Sequence, residues 1–331
     1  LSVRLVEVPP AVHARFAHAN HLPLYQMIAK NVGIRRARGQ FVLCTNVDVL
    51  FSDPLFAYLA KRSLEAGKYY RSIRRDTTVL TQLPAINPHI PMETILSACE
   101  RHLLRVNFQN VSVNMQNGER HLIYPPGATA ETFGHPVLFT NACGDFTLLS
   151  REDFHRLHGY AELDMFSFHL DALFLYAAHY AGLEEVILPE AMGHYHIEHG
   201  GGWTPEIHKV GSLDDRLDTL GIPRLDNAAL TDMIGRLARG ELPPVGNGPS
   251  WGLADANLPD TPVTVAAWDV SDAPGPDAPR LSIVVTMRND DHGGNIKERF
   301  QTFLTHLGGI CEHFALDAEL IVVEWNPDPT F

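Results

Sequence analysis

The chain has 331 residues, enough to bury one large or two modest hydrophobic cores. With 45% hydrophobic and 20% charged residues it has globular make-up, and no apolar run approaches the roughly 20 residues that span a bilayer. The formal net charge of −13 argues against a nucleic-acid-binding surface, yet leaves room for a few placed Arg or Lys to hold a diphosphate.

Taken in order, Ser2–Val8 alternates β-branched and polar residues and predicts a strand that Pro9 and Pro10 end. Leu24–Ala37 carries Leu24, Met27, Ile28 and Val32 at helical spacing, with Arg35, Arg36 and Arg38 near its C-terminus and Gly39 as a stop. The apolar run FVLC (41–44) then predicts a strand buried on both faces. The polar cluster Thr45-Asn46-Val47-Asp48 follows at once, which places a carboxylate where open α/β sheets bind ligands. Asp53-Pro54 opens a helix to about Leu64.

Beyond it the sequence predicts a strand over Lys68–Ile73, a helix near Met92–Leu104 and short strands to about Ile123. Pro125–Gly127 marks a loop, with Ala128–Pro136 read as either mobile or facing substrate. Phe146–Leu149 is a strand, and Ser150-Arg151-Glu152-Asp153 supplies the N-cap and capping-box acid of the next helix. Leu170–Ala181 is a strongly apolar helix and Glu185–Leu188 a strand. The segment Met192–Trp203 reads as a loop with three histidines and four glycines. Extended backbone there would put His194, His196 and Glu198 on one face.

From about Gly240 to Pro279 the composition turns to Pro, Gly, Asp, Asn and Ala, the mark of a linker or wrapping tail. Order returns with a strand at Arg280–Thr286, a helix at Asn295–His313 and a strand at Glu319–Val323, a βαβ unit. Cys44, Cys99, Cys143 and Cys311 are far apart with no CxxC spacing. They read as reduced, buried thiols of a cytoplasmic protein rather than a disulfide frame or zinc site.

Three stretches carry a resemblance. LSIVVTMRN (281–289) with its helix and ELIVVEWN (319–326) resemble the first βαβ of a family 2-type glycosyltransferase with the GT-A fold. NVGIRRARG (31–39) followed by FVLCTNVD resembles the section ending in that family's metal-binding acidic motif. SREDFHRLHGY (150–160) and Phe168-His169-Leu170-Asp171 resemble its acceptor side. The fold implied is a Rossmann-like α/β domain with a mixed, mostly parallel central sheet flanked by helices. In the family the βαβ unit comes first, whereas here it comes last. Residues 280–331 would then be the first nucleotide-binding portion, 1–239 the rest of the catalytic domain and 240–279 the linker. The order fits a circular permutation, a fragment spanning the junction of tandem transferases, or segments written out of order.

The resemblance implies a nucleoside-diphosphate sugar as donor, a carbohydrate or other hydroxyl acceptor, and a divalent cation, Mn²⁺ or Mg²⁺, as Lewis acid on the leaving diphosphate. Asn46 and Asp48 stand where the family has an Asp-x-Asp pair, so an amide replaces one carboxylate and more of the metal falls to histidine and phosphate. A late histidine, His196 or His199, completes coordination. Asp171, at the start of an apolar helix, is the expected base for the acceptor hydroxyl, and Asp145 in the small-residue turn NACGD is the second candidate. Thr286, Arg288, Asn289, Glu324 and Asn326 follow the two strands expected to hold base and ribose. Asn31 and Arg35 project from a helix that would line the diphosphate, and Trp203 would stack on sugar or base. Two rival readings remain: a sugar-nucleotide nucleotidyltransferase, disfavoured by the acidic segment DDHGG (290–294), and a non-catalytic carbohydrate-binding module.

Overall fold

The structure is a computed structural model that describes residues 1–61, 63–78, 92–122, 134–199, 213–264, 279–288 and 295–328. It is a mixed α/β architecture with two mixed sheets flanked by helices. From edge to edge the larger sheet runs Glu184–Ile187, Lys68–Arg71, Thr147–Ser150, Phe41–Cys44, Leu281–Met287, Ala318–Trp325, Ser2–Val8 and Asp260–Val263. The four strands from Phe41–Cys44 to Ser2–Val8 are mutually parallel, and Thr147–Ser150 and Asp260–Val263 pair antiparallel beside them. The βαβ unit near the end of the sequence therefore supplies the two middle strands, between segments from its beginning.

These middle strands are apolar throughout because both faces are covered. Val284, Ile321, Val323 and Trp325 face a core built with the helices Gln26–Arg36 and Leu170–Tyr180. Ile283, Val285, Leu320 and Val322 face the opposite core, under the helices Asp53–Ala60 and Ile296–His313. Gly33 lets the helix Gln26–Arg36 lie directly on these strands, since a Cβ there would collide with the Val284 side chain. This is a packing reason for the glycine that the sequence presents within NVGIRR.

The second sheet is ordered Val49–Phe51, His194–Ile197, Arg74–Thr77, Leu103–Asn107, Val111–Asn114 and Arg120–Leu122. Two sequence expectations change here. The extended stretch predicted over Lys68–Ile73 ends at Arg71, and the chain crosses into the second sheet as the separate strand Arg74–Thr77. The histidine segment is a loop only in part: His194–Ile197 is a buried strand between Val49–Phe51 and Arg74–Thr77. Its high histidine content hides a β-run, because the buried histidines take positions usually held by apolar side chains. Elsewhere the boundaries move by a few residues, and Ser150 caps its helix as expected, its Oγ accepting from the Asp153 N–H at 3.0 Å.

The first part of the expected linker packs against the domain. Trp251 is buried beneath Arg35, and Asp260–Val263 forms the sheet edge; residues 265–278 lie outside the described residues. All four cysteines are buried without a disulfide. Among the described residues no helix is long and apolar enough to cross a membrane.

Candidate functional site

The carboxyl ends of the parallel strands open into two cavities that share a wall. The smaller, of about 260 Å³, is lined by Asp48, His196, His199, Thr286, Arg288 and Arg299 among others. The larger, of about 740 Å³, contains Asp145, Asp171, Arg74, Tyr176, Phe166 and Phe168. Gln26, Asn46, Phe166 and Ser167 line both.

Asp48 sits between the strand Phe41–Cys44 of one sheet and Val49–Phe51 of the other. The antiparallel pairing of Val49 with His196 brings the histidine strand alongside it, and the Asp48 carbonyl accepts the Ile197 N–H at 2.9 Å. His199 Nε2 lies 3.0 Å and His196 Nε2 3.9 Å from Asp48 Oδ2. Candidate ligand atoms of Asp48, His196 and His199 all fall within 4.8 Å of one another. Arg299 Nη1 donates to the same carboxylate oxygen at 3.2 Å. Burial by itself would raise the Asp48 carboxyl; the His199 hydrogen bond and the charges of His196, His199 and Arg299 outweigh it and hold the group well below the usual carboxylate range. Its second oxygen, Oδ1, is buried with no hydrogen-bond partner, as is Thr286 Oγ1. An ionised oxygen left without a donor costs free energy unless a ligand completes it. One carboxylate and two imidazoles form a donor set that suits a divalent transition ion such as Mn²⁺, and the orphaned oxygen fits such an ion.

Three further groups tie this cluster to the larger cavity. Asp76, 1% exposed, lies with Oδ1 3.2 Å from His196 Nδ1. It accepts from Arg74 Nε at 2.6 Å, Arg105 Nε at 2.7 Å and Asn107 Nδ2 at 3.0 Å. Arg74 also reaches Asp145 Oδ2 at 2.5 Å, and the other Asp145 oxygen accepts from Asn46 at 2.5 Å. Burial would raise Asp145, but Arg74 and His196 hold it below its ordinary value, so it stays an ionised, fully engaged carboxylate. That corrects its candidacy as a base: neither oxygen is free of a strong donor. Asn46 is likewise committed, its amide oxygen accepting from Gln26 Nε2 at 3.2 Å, so coordination near Asp48 falls to the histidines.

Asp171 stands in the first turn of Leu170–Tyr180, half-buried on the wall of the larger cavity. Its Oδ1 accepts the Ala172 N–H at 2.9 Å. Its Oδ2 approaches Gly144 so closely that a Cβ at that position would lie 3.0 Å away, which gives the NACGD turn a reason for its glycine.

No family model, curated protein or solved structure matches this chain.

The structure brings Asp48, His196, His199, Asn46, Asp145, Asp171, Thr286 and Arg288 to the two cavities. It takes Asn31 elsewhere: fully buried, it donates to the Tyr160 carbonyl and Glu162 and accepts the Tyr160 N–H, holding a turn in place. Arg35 stacks on Trp251. Glu324 and Asn326 line neither cavity, and the Asn326 carbonyl instead accepts from Arg288 Nε at 3.0 Å, fixing that side chain. Asn289 and Trp203 lie outside the described residues. Asp76, Arg74 and Arg299 were not among the sequence candidates. Arg299 did leave a signal, for it shares the apolar stripe of Ile296, Phe303, Leu307 and Ile310, where a charge needs a partner. Arg74 and Asp76 stand two apart, as same-face residues of a strand do.

Proposed function

We propose that this chain is a glycosyltransferase of the GT-A type, moving a sugar from a nucleoside-diphosphate sugar in the smaller cavity to a hydroxyl in the larger one. The observation that carries this reading is the Asp48–His196–His199 cluster at the carboxyl ends of the parallel central strands, with Asp48 Oδ1 left without a hydrogen-bond partner. Arg288 and Arg299 on the same cavity supply cations for a diphosphate, as Thr286 supplies a hydroxyl. A divalent ion held by Asp48, His196 and His199 would supply Lewis-acid neutralisation of the departing diphosphate.

Asp171 takes the proton of the acceptor hydroxyl as its oxygen bonds to the anomeric carbon. The carbon–oxygen bond to the diphosphate breaks, and its electron pair leaves with the nucleoside diphosphate. One base acting from the acceptor side implies inversion. Asp145 and Asn46, locked by Arg74 and Gln26, hold the shared wall rigid while the sugar passes it. The fixed dipoles need not reorganise during transfer.

The test is Asp171→Asn, measured by donor consumption and by nucleoside-diphosphate binding. Transfer is expected to fall by about 10²–10⁴-fold with nucleotide affinity unchanged. Full activity in the variant would overturn the base assignment. A wild-type chain that binds nucleotide yet consumes no donor with any acceptor would support the non-catalytic carbohydrate-binding reading instead, which Asn46 in place of a carboxylate favours.

A further inference from the structure

The geometry points to Asp76 as the positioning residue that fixes His196 in the tautomer and orientation of a cation ligand. This inference rests on the cation reading of Asp48, His196 and His199 and adds a residue to it. Three observations support it. Strand register makes Asp76 and His196 direct neighbours in the parallel pair Arg74–Thr77 and His194–Ile197. The two ring nitrogens of His196 face different carboxylates, Nδ1 toward Asp76 at 3.2 Å and Nε2 toward Asp48 at 3.9 Å. Asp76 is itself immobilised, with Arg74 on one oxygen and Arg105 and Asn107 on the other.

A histidine can ligate only through a nitrogen that carries no proton. The Nε2 atom is the one turned to Asp48, so in a ligating ring the proton resides on Nδ1, with the Asp76 carboxylate 3.2 Å away to orient it. A carboxylate behind a ligating imidazole both selects that tautomer and makes the ligand more basic. Arg74 extends the arrangement, since it bridges Asp76 and Asp145 and so joins the histidine side of the site to the acceptor wall.

The experiment compares Mn²⁺ affinity, by titration calorimetry, in the wild-type chain, Asp76→Asn and Asp153→Asn. Asp153 is a buried carboxylate that bonds to the helix-capping Ser150 and lines neither cavity, so its variant controls for the loss of a buried charge. Asp76→Asn is expected to weaken Mn²⁺ binding by about 10–100-fold. Asp153→Asn is expected to stay within about twofold of wild type. Equal affinity in wild type and Asp76→Asn would overturn the role of Asp76 alone. No Mn²⁺ binding by the wild type would overturn the cation site itself. Should Asp76→Asn fail to fold, ¹⁵N-histidine spectra of the Zn²⁺-loaded wild-type chain decide the matter, with His196→Gln identifying the resonance. A proton on Nδ1 of His196 supports the proposal, and a proton on Nε2 overturns it.

Discussion

Two buried carboxylates stand at opposite ends of the central strands, and their surroundings differ. Glu319 lies near the amino end, 1% exposed, with one oxygen accepting from the Arg38 N–H at 2.7 Å and Ser282 Oγ at 2.6 Å and the other from Arg4 at 3.1 Å. Arg4 in turn pairs with Asp260 on the edge strand. Each of its oxygens accepts from a donor within the chain, and neither described cavity at the carboxyl ends reaches it. Asp48, at the carboxyl end, is comparably buried yet keeps one oxygen without a donor and faces a cavity. A buried charge whose partners are all internal holds strands together, whereas one left incomplete beside a cavity marks where a ligand finishes the coordination.

The largest effect expected from this contrast is on stability. Glu319→Ala leaves Arg4 inside without one of its carboxylates, which should cost about 3–5 kcal/mol in urea unfolding while Mn²⁺ affinity of the folded protein stays unchanged. A loss of Mn²⁺ binding at constant fold would show that the two ends are not separable as argued.

A smaller effect comes from His306, a buried group that is internally satisfied like Glu319. It sits in the core under Phe51, whose N–H donates to its Nε2 at 2.7 Å, and burial pushes the imidazole down to about 3. Its folded value lies below the unfolded value of about 6.5, so between these limits the unfolded chain binds a proton that the native chain refuses. Stability should therefore fall as pH drops from about 6.5 toward 3, by at most about 1.4 kcal/mol per pH unit from this residue. Urea midpoints of wild type and His306→Gln between pH 7 and pH 4 check this, the variant showing the shallower slope. Identical slopes would remove His306 from the account.

The sequence made much of this legible, for reasons that differ by residue. The central strands were readable because burial on both faces turns them into unbroken runs such as FVLC and LSIVV. Asp48 stood out because it follows such a run directly. Its two histidines were found from their density, although the strand that carries His196 was not, since His194 and His196 mask the apolar pattern of a buried strand. Asn31 and Arg35 were misplaced because a helix face cannot be told from composition to meet a ligand rather than a turn such as Tyr160–Glu162. Asp76 was missed because its meaning depends on register: only the pairing of Arg74–Thr77 with His194–Ile197 sets it beside His196.

The central claim is that the carboxyl-end cluster takes a divalent ion together with a nucleoside diphosphate. Thermal shifts with UDP and GDP, each with and without Mn²⁺, test it most directly in wild type and Asp48→Asn. The account predicts that Mn²⁺ and at least one of the nucleotides together raise the wild-type melting temperature more than either alone, and that Asp48→Asn loses this joint gain. No shift with either nucleotide, or an equal joint gain in Asp48→Asn, would contradict it.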